Sequence, residues 1–224
     1  MAPIGVLLVD DDPLVRTGLA FMLGGHDEIE IRGQAANGVE AVAAVAALSV
    51  DVVLMDIRMP VCNGIDAARQ IHGGPRPPQI IMLTTFADDE LVLDALAAGA
   101  AGFLVKDTAP ADIVTAIHAV AAGDSVLSPA VTRTVLSALH AAHDTSGTAR
   151  RDLARARLAE LSDRELQIAM RIGQGESNAT IAAALYLSLP TIKAHVSHIL
   201  SKTGVNNRVQ LAILVHDAEI SEGR

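Results

Sequence analysis

Four short apolar runs punctuate the first half of the chain: Ile4–Val9, Val52–Met55, Ile80–Leu83 and Gly102–Val105. Each has the length and composition of a strand buried on both faces, as in a parallel sheet. A weaker strand is predicted at Glu28–Gly33. Between them lie Ala/Leu/Val-rich stretches of helical length: Pro13–Leu23, Val39–Leu48, Ile65–Ile71, Glu90–Ala97 and Pro110–Ala121. Pro13 and Pro110 stand where a first helical turn accepts proline, because that turn's N–H lacks an intrahelical partner anyway. Five alternating strand–helix units predict an α/β domain, a doubly wound five-stranded parallel sheet with helices on both faces.

A further helix is predicted at Pro129–His140, with Ser128 as its N-cap. After it, Ala141–Ala149 has no apolar period and reads as a linker. Beyond the linker only helical patterns remain, predicting a small all-α domain of four helices: Asp163–Ile172, Asn178–Leu185, Leu189–Thr203 and Asn207–Ala218. Ser162 followed by Glu165 forms a capping box, and Ser177 and Ser188 are placed to cap the next two helices. The expected organisation is residues 1–125 as the first domain, 126–157 as a helical linker and 158–224 as the second domain.

Charge divides along the same lines. The net charge is −9, but residues 1–130 hold 17 acidic and 6 basic residues, a net of −11, whereas residues 161–224 hold 6 of each. Any affinity of the second domain for DNA must therefore come from local placement of charge. Aromatic residues are few, three Phe, one Tyr and no Trp, which weighs against a stacking platform for single-stranded nucleic acid. Cys62 is the single cysteine, so the chain has no internal disulfide and no thiol pair for zinc. No apolar run reaches the roughly 18 residues of a membrane span, and the first residues lack a secretory pattern. A soluble cytoplasmic protein is expected.

In parallel α/β sheets, sites form at the carboxyl ends of the strands. Those ends carry Asp10 and Asp11 after the first strand, Asp56 after the third, Thr84 after the fourth and Lys106 after the fifth. Three crowded carboxylates repel one another, about 4 kcal/mol per pair at 4 Å and an effective dielectric of 20. A divalent cation removes that cost, and oxygen-only ligation with room for water favours Mg²⁺. The lysine and threonine are then placed to cradle a phosphoryl group carried on one carboxylate.

The segments Leu-Leu-Val-Asp-Asp-Asp-Pro-Leu-Val-Arg (7–16), Val-Val-Leu-Met-Asp-Ile-Arg-Met-Pro (52–60), Leu-Thr-Thr (83–85) and Gly-Phe-Leu-Val-Lys-Asp (102–107) resemble the receiver domain of two-component response regulators, over about residues 3–122. The resemblance implies a flavodoxin-like fold and the following roles. Asp56 is the phosphoacceptor, served by a cognate sensor histidine kinase. Asp10, Asp11, Asp56 and the backbone carbonyl of Arg58 bind Mg²⁺, Asp10 through water. Thr84 and Lys106 grip the phosphoryl group, and Phe103 is the aromatic switch. Asp12 is the cap of the first helix. Such a protein is not an enzyme beyond its own phosphoryl uptake and slow autodephosphorylation. A phosphomonoesterase with an aspartyl-phosphate intermediate carries a second Asp two residues after the nucleophile, where this chain has Arg58.

In the second domain, Ile192, Val196, Ile199 and Leu200 recur at helical spacing as a buried stripe, leaving a face of Pro190, Lys193, Ala194, Ser197 and Ser201. Small and basic side chains of this kind fit a major groove. Leu-Ser-Asp-Arg-Glu (161–165), Gly-Glu-Ser-Asn-Ala-Thr-Ile-Ala (175–182) and Ser-Leu-Pro-Thr-Ile-Lys-Ala-His-Val-Ser-His-Ile-Leu (188–200) resemble the LuxR-type helix-turn-helix output domain. With the receiver, they identify the chain as a member of the NarL/FixJ family. That resemblance assigns Lys193, Ala194 and Ser197 to the bases, and His195, His198 and Lys202 to phosphate contacts or packing. It assigns dimerisation to the last helix, through Val209, Leu211, Ala212 and Val215. The implied partners are promoter DNA and a second copy of the chain when phosphorylated. The competing expectation is a phosphorylation-independent transcription factor whose receiver serves only as a dimerisation module.

Overall fold

The computed structural model describes residues 2–74, 77–84, 89–127, 131–132 and 150–219. The chain divides into two compact units. In the first, parallel strands β1 (Ile4–Val9), β2 (Ile29–Ala35), β3 (Val52–Asp56), β4 (Gln79–Thr84), β5 (Gly102–Val105) and β6 (Val126–Leu127) form one sheet in the order β2-β1-β3-β4-β5-β6. β1 pairs with both β2 and β3, so the direction of winding reverses between β1 and β3. A crevice opens at that reversal, at the carboxyl ends of the two strands.

Helices α1 (Pro13–Leu23), α2 (Gly38–Ala47), α3 (Gly64–His72), α4 (Asp89–Ala97) and α5 (Pro110–Ala121) connect the strands. Their starts are set by short polar side chains: Asp12, Asn37 and Asn63 each accept a backbone N–H of the first turn. Val6, Leu8, Leu54, Ile81 and Leu83 on the strands pack against Leu19, Leu23, Ile113 and Ile117 of α1 and α5.

The sheet has a sixth strand where five were expected. Val126–Leu127 pairs in parallel with Gly102 and Phe103. Two residues are too few to show a strand period, and the pairing is supplied by the edge of β5 rather than by local sequence. The expected helix Pro129–His140 and linker 141–149 lie outside the described residues, except that 131–132 are helical.

The second unit is helical: α6, described over 150–158, then α7 (Asp163–Gly173), α8 (Asn178–Leu185), α9 (Leu189–Thr203) and α10 (Arg208–Glu219). The capping box of Ser162 and Glu165 is present at the start of α7. The core gathers Ile168, Ile172, Ile181, Ile192, Val196, Ile199, Leu211 and Val215. Residues 150–157, expected as linker, carry Ala154 into this core, with Leu158 beside it. Arg150 Nε donates to Asp217 Oδ2 at 2.7 Å and Arg155 Nε to the carbonyl of Ala218 at 3.2 Å, fastening α6 to α10. The arginine-rich composition of this stretch hid its short apolar stripe.

Among the described residues, no helix is long and apolar enough to cross a membrane.

Candidate functional site

β1 delivers Asp10 to the crevice with its side chain fully buried. The loop after it is fixed from several directions. Asp10 N donates to Ala35 O at 3.2 Å, Asp12 N to Asp10 Oδ1 at 2.9 Å, and Arg16 Nη1 from α1 to Asp10 O at 2.6 Å. Asp12 spends its carboxylate on the amide of Leu14 at 2.8 Å, as the cap of α1. Asp11 is exposed.

Asp56 is the last residue of β3 and is buried. Opposite it, the amide of Gly64 donates to Ile57 O at 2.9 Å. A Cβ at position 64 would lie 2.1 Å from the carbonyl oxygen of Asp56, so only glycine permits the close approach of α3 to the end of β3. Arg58 follows two residues beyond Asp56 in the β3–α3 loop. Thr84 ends β4 and is buried; its carbonyl accepts the amide of Lys106 at 2.8 Å.

These elements bring Asp10, Asp11 and Asp56 together, with one carboxylate oxygen from each within 4.8 Å of the others. Lys106 Nζ lies 2.6 Å from Asp10 Oδ2 and 3.0 Å from Asp56 Oδ2. Burial raises the pKa of Asp56, opposed by the hydrogen bond and charge of Lys106. For Lys106, burial pulls the pKa down, but hydrogen bonds to Asp10 and Asp56 outweigh it and the net movement is upward. The lysine therefore stays an ammonium at neutral pH.

Three carboxylates and one ammonium leave a formal charge of −2 from hard oxygen donors. That donor set fits a divalent cation of the Mg²⁺ type, and provides no sulfur or imidazole for a softer metal. Phe103, in register with Met82, is fully buried in the sheet.

On α9, Ile192, Val196 and Ile199 are buried, and Ala194, Ser197 and His198 are exposed while Lys193 is half-buried. The inward stripe and outward face thus fall as the periodicity predicted. Of the two roles expected for Lys202, phosphate contact or packing, the structure shows a contact within the unit. Its Nζ lies 2.7 Å from Glu165 Oε2, which also accepts the amide and hydroxyl of Ser162 at 2.9 and 2.8 Å. Its charge is balanced inside the unit.

The dimerisation set requires a correction. Leu211 and Val215 are buried in the unit's own core, and Val215 lies where a Cβ on Gly173 would come within 2.5 Å of it. A side chain locked against α7 cannot meet a second subunit. Val209 and Ala212 are half-buried, as is Ile213, and they form the accessible remainder of α10. Helical apolarity all round had made the two faces indistinguishable in the sequence.

Residues 6–118 match the family model described as response regulator receiver domain, and residues 159–215 match the bacterial regulatory proteins of the luxR family. The chain is similar to transcriptional regulatory protein LnrK of Bacillus subtilis, 38% identical with 94% of this chain and 95% of that protein covered. It is similar to the nitrate/nitrite response regulator protein NarL of Escherichia coli, 34% identical over 97% of both chains. The crystal structure of response regulator ChrA, from a heme-sensing two-component system, matches with a TM-score of 0.51 at 31% identity, covering 96% of this chain and 98% of that one. The chain belongs to the two-component response regulators that join a receiver domain to a LuxR-type DNA-binding domain and regulate transcription.

Proposed function

We propose that Asp56 is the phosphoacceptor and that its phosphorylation by a sensor histidine kinase drives dimerisation and binding to promoter DNA. The observation that carries this reading is Lys106 Nζ standing within 3.0 Å of both Asp10 and Asp56, in a pocket whose carboxylate oxygens lie within 4.8 Å of one another. One Asp56 oxygen attacks the phosphorus of a phosphohistidine or of acetyl phosphate, and the bond from phosphorus to the leaving nitrogen or oxygen breaks. Lys106 then meets the new phosphoryl oxygens with a fixed charge, and the Thr84 hydroxyl offers a hydrogen bond from the neighbouring strand. Asp10, Asp11, Asp56 and the carbonyl of Arg58 are the residues that would hold Mg²⁺, which supplies charge neutralisation as phosphorus becomes more crowded with oxygen. The buried Phe103 lies on β5, the strand paired with the one that ends in Thr84, and would be the side chain that responds to the threonine's movement.

The chemistry ends with phosphoryl uptake and its slow hydrolysis, and it takes place in the cytoplasm. In the output unit, Lys193, Ala194 and Ser197 read bases while His198 contacts phosphate, and a second copy joins through Val209, Ala212 and Ile213. The convergence of Asp10, Asp11, Asp56 and Lys106 supports phosphorylation control over a purely dimerising receiver. Sedimentation and DNA binding measured with and without acetyl phosphate test the reading. A phosphorylated form that stays monomeric and binds DNA no better contradicts it.

A further inference from the structure

Tyr186 carries two features that folding does not account for. It sits at the end of α8 in the left-handed region, φ 55° and ψ 42°, a conformation that glycine or asparagine adopts at far lower cost than an aromatic residue. Its side chain is also 96% exposed, so the ring returns nothing to the core. The backbone around it is fixed: Leu187 N donates to Ala182 O at 3.0 Å, and Arg164 Nη2 to Leu185 O at 2.9 Å. The turn would be satisfied by a smaller residue. A strained, exposed side chain held by an over-determined backbone marks a functional position.

The place is informative. Tyr186 occupies the turn of the helix-turn-helix, two residues before Ser188, the cap of α9. The unit that must grip a polyanion is only weakly basic, with 8 acidic and 10 basic residues over 150–224, of which Arg150 is paired with Asp217 and Lys202 with Glu165. Neutral donors are then needed for backbone contacts, and a tyrosine hydroxyl is one that protein–DNA interfaces use on phosphate oxygens.

We propose that Tyr186 is a DNA-contacting residue, its phenol O–H donating to a backbone phosphate beside the groove entered by α9, with the ring against the adjoining sugar. The proposal rests on the DNA-binding reading of α9. Because the contact is uncharged, it adds affinity without releasing a counterion, unlike a lysine.

The test uses the full-length protein treated with acetyl phosphate and Mg²⁺, and a labelled duplex enriched from a random-sequence pool by the wild-type chain. Tyr186→Phe is expected to weaken binding by about tenfold with the same salt dependence. Tyr186→Gly is expected to weaken it at least as much, while the thermal midpoint stays equal to the wild type's or rises. The protein has one Tyr and no Trp, so its intrinsic emission reports Tyr186 directly, and saturating duplex should change it. Unaltered affinity in both variants, with Lys193→Ala weakened in the same assay, overturns the contact but leaves the DNA reading intact. A wild-type chain that enriches no duplex overturns both. A Tyr186→Gly protein that melts several degrees lower assigns the tyrosine to the fold and ends the proposal.

Discussion

Leu211 and Val209 lie two residues apart on α10, and truncating each should break different things. Leu211 is 0% exposed and belongs to the core of the output unit. Leu211→Ala removes three buried carbons, worth about 2.4 kcal/mol at ~0.8 kcal/mol per methylene. The cavity left behind brings the cost to about 2–5 kcal/mol. For a unit of this size each kcal/mol moves the melting midpoint by about 4–8 °C, so a drop of roughly ten degrees or more is expected. Val209 is only half-buried; Val209→Ala should cost about 1 kcal/mol or less. It should instead weaken self-association of the acetyl-phosphate-treated protein. Thermal unfolding followed by circular dichroism, and sedimentation of the same samples, separate the two effects. A Leu211→Ala protein that melts like the wild type yet no longer dimerises would refute the assignment of Leu211 to the core.

Gly64→Ala should slow phosphorylation by roughly 10²-fold, because the new Cβ would stand 2.1 Å from a backbone carbonyl that cannot rotate away, and a displacement of about 1 Å at a reacting group costs that much. Labelling at the wild-type rate with acetyl phosphate would contradict it. Acid should weaken the output unit through Glu165, whose pKa is lowered from 4.5 to about 2 by the hydrogen bond from Lys202, then by the Ser162 amide and hydroxyl. The folded-state value lies below the unfolded one, so this stabilisation is complete above pH 4.5 and is lost as pH falls towards 2. Glu165→Gln should flatten that segment of the pH–stability curve, and parallel curves for variant and wild type would speak against it. Lys193→Ala should relax sequence preference at one base pair by about 1–3 kcal/mol. Equal losses on selected and random duplexes would remove Lys193 from the base-reading set.

Where the sequence was legible, the reason was periodicity or strand-end chemistry. The buried parallel strands announce themselves as unbroken apolar runs, and the residues following them, Asp10, Asp56, Thr84 and Lys106, converge because every strand points the same way. The starts of α1 and α7 were equally readable, since Asp12, Ser162 and Glu165 satisfy helix-end amides by local bonds. Contacts that depend on three-dimensional proximity were not readable. Arg16 stands six residues beyond Asp10, yet its hold on the Asp10 carbonyl follows from the angle of α1. Gly64 is an ordinary helix-start glycine until the Asp56 carbonyl is placed against it. Lys202 could not be assigned to Glu165, 37 residues away. The two faces of α10 could not be told apart when both are apolar.

Everything in the receiver turns on Asp56 being the group that takes the phosphate. Intact-mass measurement of the full-length protein after incubation with acetyl phosphate and Mg²⁺, followed by mapping of the modified residue, addresses this directly. One added phosphoryl group on Asp56, absent when the metal is chelated and absent in Asp56→Asn, is the expected result. Undiminished phosphorylation of the Asn variant, or a label mapped to another residue, would contradict the account.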